Sequence, residues 1–434
     1  MNPTSSKAIY VLLDGVGDLP HPLLGGLTPL EAARTPHLDK LTINGCLGNV
    51  VSVGKGIAPQ SDIAVFNMLG YDFSDVGYPG RGIVEALGMG MDFKNGDLVL
   101  RGNFATVDDQ GNITDRRAGR VIGTNEALDV CRTLEDGLKF TRNIRVTLVP
   151  SVGHRVVVKF SHPSLKLSSK VSNTDPAYDR IDGIGVARNS TSLKMQECVP
   201  EEEGDSAATS ALAINEFSRQ VVQILADHPV NIVRKAKGLK PMNTILLRDS
   251  GNRLPSIEPI SKRYGLEFGS VVDMPVEVGI SRITGMHYVT GGDINAYQEK
   301  ATKCIEQIKK WDVVYVHIKG PDEFGHDGDA NGKKMSIEQI DDLFFGTLLR
   351  NLDASKIMII VSGDHSTPCI RKAHTDDPIP VLFAGKGVEK DDSKRFTEKE
   401  SLLGSRGSMK GIQILPFATK ALFGEGKNDK GSHR

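Results

Sequence analysis

The sequence predicts an α/β fold: a sheet with helices on both faces, plus a smaller α/β domain inserted into it. Three observations carry this. First, the apolar, β-forming runs Ala8–Leu13, Val313–Ile318 and 357–361 each lead straight into a polar turn: Asp14-Gly15, Lys319-Gly320 and Ser362-Gly363-Asp364-His365. Continuous apolar runs of this length fit strands buried on both faces, as in helix-covered parallel sheets. Second, helix-like segments at 296–310 and 337–352 lie between the later runs, and such alternation argues α/β. Third, the middle of the chain is charged and punctuated by glycine, with strand-like runs at 145–149 and 155–160 and an amphipathic helix pattern over 206–226.

The length, 434 residues, suits roughly two domains of about 100–250 residues each. Residues 1–72 and 252–434 are expected to form one discontinuous domain, with 75–245 inserted as the second. The tail 425–434 is polar and expected to lack order.

Composition narrows the function. Apolar residues make up 39% and charged residues 25%, with a formal net charge of -1. That balance fits a globular protein and offers no electrostatic grip on nucleic acid or an anionic membrane. No stretch approaches the roughly 20 apolar residues of a membrane span, and the N-terminal apolar run is too short for a signal-peptide core. A cytoplasmic protein is expected. The five cysteines, Cys46, Cys131, Cys198, Cys304 and Cys369, are scattered and form no C-x-x-C pair. They signal neither a disulfide framework nor a thiolate metal site; buried thiols are expected.

Ligands collect beyond the carboxyl ends of strands in open α/β sheets. Asp14 follows the first run; Asp322 and His326 follow the second, within Asp-Glu-Phe-Gly-His; Asp364 and His365 follow the third; His374 comes nine residues later. Three Asp and three His at strand ends make a ligand set for two divalent cations, although each residue alone is more often a turn or loop residue than a ligand. Asp322 and His326 are four apart, so one helical turn places both on one face. Mixed carboxylate and imidazole donors favour Mn²⁺ or Zn²⁺ over a pure Mg²⁺ site. Ser61 precedes a helix-like segment, 62–69, and is read as its N-cap, where backbone N–H groups and the helix dipole favour a phosphate. Serine is also a preferred N-cap for structural reasons alone.

Taken together, Asp14-Gly15, Ser61-Asp62, Asp322-x-x-x-His326, Gly363-Asp364-His365 and His374 resemble the alkaline phosphatase superfamily. Further segments narrow the resemblance: Leu27-Thr28-Pro29-Leu30-Glu31-Ala32-Ala33, Gly80-Arg81-Gly82, Arg101-Gly102-Asn103-Phe104-Ala105-Thr106 and Asp115-Arg116-Arg117-Ala118-Gly119-Arg120. Over nearly the whole chain they resemble archaeal-type 2,3-bisphosphoglycerate-independent phosphoglycerate mutase.

The resemblance implies an alkaline-phosphatase-like sheet and interconversion of 3-phosphoglycerate and 2-phosphoglycerate through a phosphoserine at Ser61. It implies two divalent metal ions (Mn²⁺ first, with Mg²⁺, Co²⁺ or Zn²⁺ as alternatives) and no 2,3-bisphosphoglycerate cofactor. One ion would take Asp322, His326 and His374; the other Asp14, Ser61, Asp364 and His365. The inserted domain would supply the cations that hold the substrate's carboxylate and phosphate, with Arg116, Arg117, Arg120, His154, Arg248 and Lys319 as candidates and Asp175 as an acid/base. An inserted domain closing over the site would keep water from the phosphoserine. The partner is this small-molecule substrate, with a homo-oligomer left open.

Two departures stand out. Gln60 stands where this branch usually has Gly, and would be strained if that position needs φ > 0. Asp249 follows Arg248 where Gly-Ala is usual, and is expected to pair with Arg248 and dull its role as a phosphate ligand. A phosphatase of the same superfamily would share the metal set but lack the arginines of 115–120. A non-catalytic scaffold would be expected to lose ligands, and none is missing. No Gly-x-x-x-x-Gly-Lys-Ser/Thr loop supports a kinase.

Overall fold

The computed structural model describes residues 6–73, 77–181, 184–187 and 194–423; the tail 425–434 lies outside them. The chain divides into two compact units, Met1–Asp75 with Ile257–Arg434, and Val76–Ser256.

The first unit is built on an eight-stranded sheet. In spatial order its strands are His287–Thr290, Phe268–Val272, Val313–Ile318, Ala8–Leu13, Met358–Gly363, Ile379–Gly385, Gly45–Val51 and Ser408–Lys410. Only Ile379–Gly385 runs antiparallel to its neighbours. Every residue of the three predicted runs is buried, as expected where both faces of a sheet are covered.

Register sets the site's geometry. Leu13 lies opposite Ile318 on one side and opposite Gly363 on the other. Three adjacent parallel strands therefore end at one level, and the residues that follow them emerge side by side. The helix expected over 337–352 is not continuous. Regular turns over Ala330–Gln339 pass into wider π-type turns over Ile340–Phe345 before Gly346–Asn351. Ile340, Phe344 and Phe345 stay in the core throughout.

In the second unit, Leu98–Val107 pairs antiparallel with both Arg155–Ser161 and Thr244–Gly251, and Arg155–Ser161 with Arg145–Pro150. Helices Thr124–Gly137 and Asp205–Leu225 supply Val130, Leu134, Ile214, Phe217 and Val221 to its core. All five cysteines are buried and unpaired. Among the described residues no helix is long and apolar enough to cross a membrane.

A buried ion pair ties together the turns that leave the first-unit strands. Lys333 Nζ donates to Gly17 O, Asp18 Oδ2 and Thr367 O, each at 2.9 Å. Asp18 also accepts from the Cys369 amide, and both charged side chains are wholly buried. Lys333→Met is expected to strand the Asp18 charge and cost about 3–5 kcal/mol of stability. Urea unfolding measures this; a loss under about 1 kcal/mol would show that the pair does not hold the turns.

Candidate metal centre

Asp14 leaves the first strand beside Gly15, whose φ is +60°. A Cβ on Gly15 would stand 2.7 Å from both Asp322 Oδ1 and Thr367 Oγ1, so only glycine lets this turn approach the neighbouring ligands. Asp322 and His326 share one face of helix Pro321–Asp327, with His326 Nε2 3.6 Å from Asp322 Oδ2. Asp364 and His365 follow Met358–Gly363 directly, and Asp364 Oδ1 is held by the amides of Gly15 and His365, each at 3.0 Å.

Ser61 opens helix Ser61–Met68 as its first residue, not as its N-cap. Gln60 is the N-cap, with φ -71° and ψ 151°. That is ordinary extended backbone, so the Gly-to-Gln departure costs no strain here. Ser61 is buried, and its Oγ lies 3.1 Å from His365 Nε2.

The hydrogen bonds of the imidazoles determine where their lone pairs point. His374 Nδ1 donates to Pro59 O at 2.7 Å, and His326 Nδ1 to Lys372 O at 3.1 Å. A carbonyl only accepts, so both Nδ1 atoms carry hydrogen and both Nε2 atoms present lone pairs. Those two Nε2 atoms are 3.2 Å apart, with Asp322 Oδ1 3.4 Å from His374 Nε2. Two lone pairs at this distance repel unless a cation or a proton lies between them. Burial works against charging His374, but its bond to Asp322 outweighs this and raises its pKa to about 9. A proton thus fills the role for which the donor set suits a divalent cation.

The same logic fixes His365. Thr367 Oγ1 donates to Asp322 Oδ1 at 2.6 Å, which leaves it to accept from His365 Nδ1 at 3.1 Å. His365 Nε2 therefore aims its lone pair at Ser61, at Asp14 Oδ1 (3.4 Å) and at Asp364 Oδ2 (3.3 Å). Burial lowers His365 to about 3 and keeps it neutral, as a metal ligand must be. Asp14 Oδ1 and Asp364 Oδ2 are buried and receive no hydrogen bond among the described residues. Burial pushes Asp14 up to about 7 against the pull of Lys319. Ligand atoms of Asp322, His365 and His374 lie within 4.8 Å of one another, as do those of Asp14, Asp364 and His365. His365 thus stands in both groups, and His326 joins the first through Asp322 and His374. These residues fit two divalent cations.

Sequence reasoning missed three neighbours. His317, one residue before the end of its strand, puts Nδ1 3.2 Å from Glu277 Oε1 and Nε2 3.5 Å from Asp364 Oδ2. Glu277, in the first turn of Pro275–Thr284, is itself buried. Thr367 links Asp322 to His365. A histidine inside an otherwise apolar parallel strand was the available signal for the first; Glu277 and Thr367 left none in local pattern. Lys319 belongs to this unit rather than to the inserted one. Its Nζ pairs with Asp14 Oδ2 at 2.8 Å and Glu277 Oε1 at 3.1 Å.

The remaining predicted residues sit in the second unit. Arg116 Nη2 donates to Asp175 Oδ1 and Oδ2 at 2.7 and 2.6 Å, and Arg248 Nη1 reaches Asp175 Oδ2 at 3.2 Å. Asp175 is fully buried between the two guanidiniums. Arg116 and Arg248 also lie over the Tyr178 ring, at 5.3 and 4.4 Å. His154 is lowered to about 3 by burial and by Arg155, Arg117, Arg101 and Arg248. Arg120 is exposed, on a turn where Ala118, Gly119 and Arg120 all have positive φ. Buried Arg234 holds that turn through Ala118 O and Val121 O.

A buried serine at a helix N-terminus, among converging carboxylates and imidazoles beyond parallel strand ends, is the arrangement the alkaline phosphatase resemblance implies. The model of the family described as 2,3-bisphosphoglycerate-independent phosphoglycerate mutase matches residues 43–231. A protein of that name from Aeropyrum pernix is 39% identical, over 96% of this chain and 100% of its own length. One from Methanocorpusculum labreanum is 33% identical, over 95% and 97%. Among solved structures, the cofactor-independent phosphoglycerate mutase from Thermoplasma acidophilum aligns with a TM-score of 0.63 at 30% identity, over 95% of this chain and 98% of that one. A protein from Pyrococcus horikoshii aligns with a TM-score of 0.78 at 29% identity, over 96% and 98%. The chain belongs to the 2,3-bisphosphoglycerate-independent phosphoglycerate mutase family.

Cation binding is expected to show as stabilisation. With Mn²⁺ at about 100 times its Kd, chelator-treated protein should gain about 2.7 kcal/mol, which raises the melting temperature by several degrees. Asp322→Asn keeps the shape but loses the charge, and most of that rise should vanish. An equal rise in both proteins would remove Asp322 from the ligand set.

Proposed function

We propose that the chain interconverts 3-phosphoglycerate and 2-phosphoglycerate without 2,3-bisphosphoglycerate, carrying the phosphoryl group on Ser61. The observation behind this is the position of Ser61 Oγ, buried and 3.1 Å from His365 Nε2 in the midst of the ligand cluster. One divalent cation is assigned to Asp322, His326 and His374, and the other to Asp14, Ser61, Asp364 and His365, with Mn²⁺ preferred for the mixed donors. Bound there, they supply positive charge for the phosphoryl oxygens and lower the pKa of the serine hydroxyl.

The chain's own groups do the rest. Ser61 Oγ gives up its proton and attacks phosphorus in line, and the bond to the glycerate oxygen breaks as that oxygen takes a proton. Backbone N–H groups at the start of Ser61–Met68 face the transferred group, and Lys319 adds a fixed positive charge beside Asp14. Glycerate then presents its other hydroxyl, which attacks the phosphoserine and restores Ser61. Between the two halves glycerate must stay and water must not react. We assign the hold on glycerate to the guanidiniums of the second unit, Arg116 and Arg248 first.

The deciding assay couples 2-phosphoglycerate formation to a detector, starting from 3-phosphoglycerate with no bisphosphoglycerate added. Ser61→Ala is expected to lose several orders of magnitude of rate, since it deletes the group that carries phosphorus. In the Arg116→Ala, Arg248→Ala double variant, free phosphate should rise relative to isomerisation as glycerate escapes. Free phosphate as the sole product of the unaltered protein would mean a phosphatase instead.

A further inference from the structure

The second unit holds a buried carboxylate that the proposed reaction leaves unused. Val99 pairs with Gly251 and Arg101 with Arg248, so three residues of one strand face four of the other. The extra residue makes a bulge, which bends a strand and re-aims its side chains. Within it Asp249 adopts φ +56°. An L-residue pays roughly 1 kcal/mol for that conformation, although Asp and Asn tolerate it better than most. Asp249 is only 3% exposed, and neither of its carboxylate oxygens receives a hydrogen bond among the described residues. It is paired with Arg248, whose Nε lies 3.5 Å from Asp249 Oδ2, within ion-pair reach but without hydrogen-bond geometry.

The surroundings say what such a carboxylate does. Arg101 and Arg248 stand directly opposite each other across the antiparallel pair, and like charges so placed repel. Arg116, Arg117 and Arg155 also act on Arg248 or on its neighbours. This is a concentration of positive charge that suits an anion. Asp175 is saturated by Arg116 and Arg248, whereas Asp249 meets the same guanidinium at ion-pair distance without a hydrogen bond.

We propose that Asp249 is an internal counter-ion of Arg248 that competes with the substrate's anionic group and so sets the affinity of the arginine cluster. Only the identity of that anion, a phosphorylated carboxylic acid, rests on the mutase reading. Asp249 touches no reacting atom in this account; it acts through Arg248.

The test is calorimetric titration of 3-phosphoglycerate into chelator-treated protein, in which no bound cation contributes. Asp249→Asn keeps the shape and tolerates the left-handed backbone while removing the charge. It should bind at least about fivefold more tightly than the unaltered protein, because a like charge facing the ligand is gone. In the coupled assay it should lower KM without raising kcat. Asp249→Gly relieves the backbone as well, so it should bind as tightly as Asp249→Asn and melt higher. Unchanged or weaker binding by Asp249→Asn overturns the proposal. Tighter binding by Asp249→Gly alone also overturns it, since backbone freedom would then be the cause. No binding by any of the three would mean that the cluster is not an anion site. The coupled assay on the unaltered protein judges the mutase reading separately.

Discussion

Carboxylates do not gather inside a sheet of apolar strands without a positive charge to hold them. Asp14, Asp364, Asp322 and Glu277 all stand in or beside the buried ends of three parallel strands. Leaving such charges unpaired costs several kcal/mol each. The chain answers with Lys319, shared by Asp14 and Glu277, and with His317 between Glu277 and Asp364. That answer is incomplete, because Asp14 Oδ1 and Asp364 Oδ2 keep lone pairs that nothing described donates to. The surplus negative charge suits the cluster to divalent cations, and Gly15 and Thr367 pack directly against it.

The second unit poses the opposite problem. In its arginine cluster, Arg81, Arg101, Arg116, Arg117, Arg155 and Arg248 outnumber the carboxylates that hold them, Glu85, Asp175 and Asp249. Burial would raise the Glu85 carboxyl, yet Arg101, Arg81 and Arg155 keep it low. Each unit therefore carries a charge imbalance of one sign in a buried setting.

Much of this was legible because it follows local rules. Apolar runs such as Ala8–Leu13 can hardly be anything but buried strands, and the polar residues after them had to surface at strand ends. Asp322 and His326 share a face because a helix repeats every 3.6 residues. What escaped was long-range. Glu277 meets His317 only because Phe268–Val272 and the helix after it dock beside Val313–Ile318. Ser61 was placed one position off, since an N-cap and a first helical residue differ only in backbone angles. Asp249 was noticed as a departure, but nothing local announced the bulge that makes its backbone left-handed.

The discontinuity of the first unit bears on how the protein is made. Among the described residues, Ala8–Leu13 finds its strand partners in Val313–Ile318 and Met358–Gly363. A ribosome delivers the second unit whole, while this first apolar strand still has no partner. The contiguous unit is therefore free to fold during synthesis, whereas the metal-ligand cluster waits for the last quarter of the chain. Through that interval the nascent N-terminus exposes an unpaired, aggregation-prone edge. Early folding of the insertion brings Gly80 and Ser250 together and shortens the loop that the first strand must close.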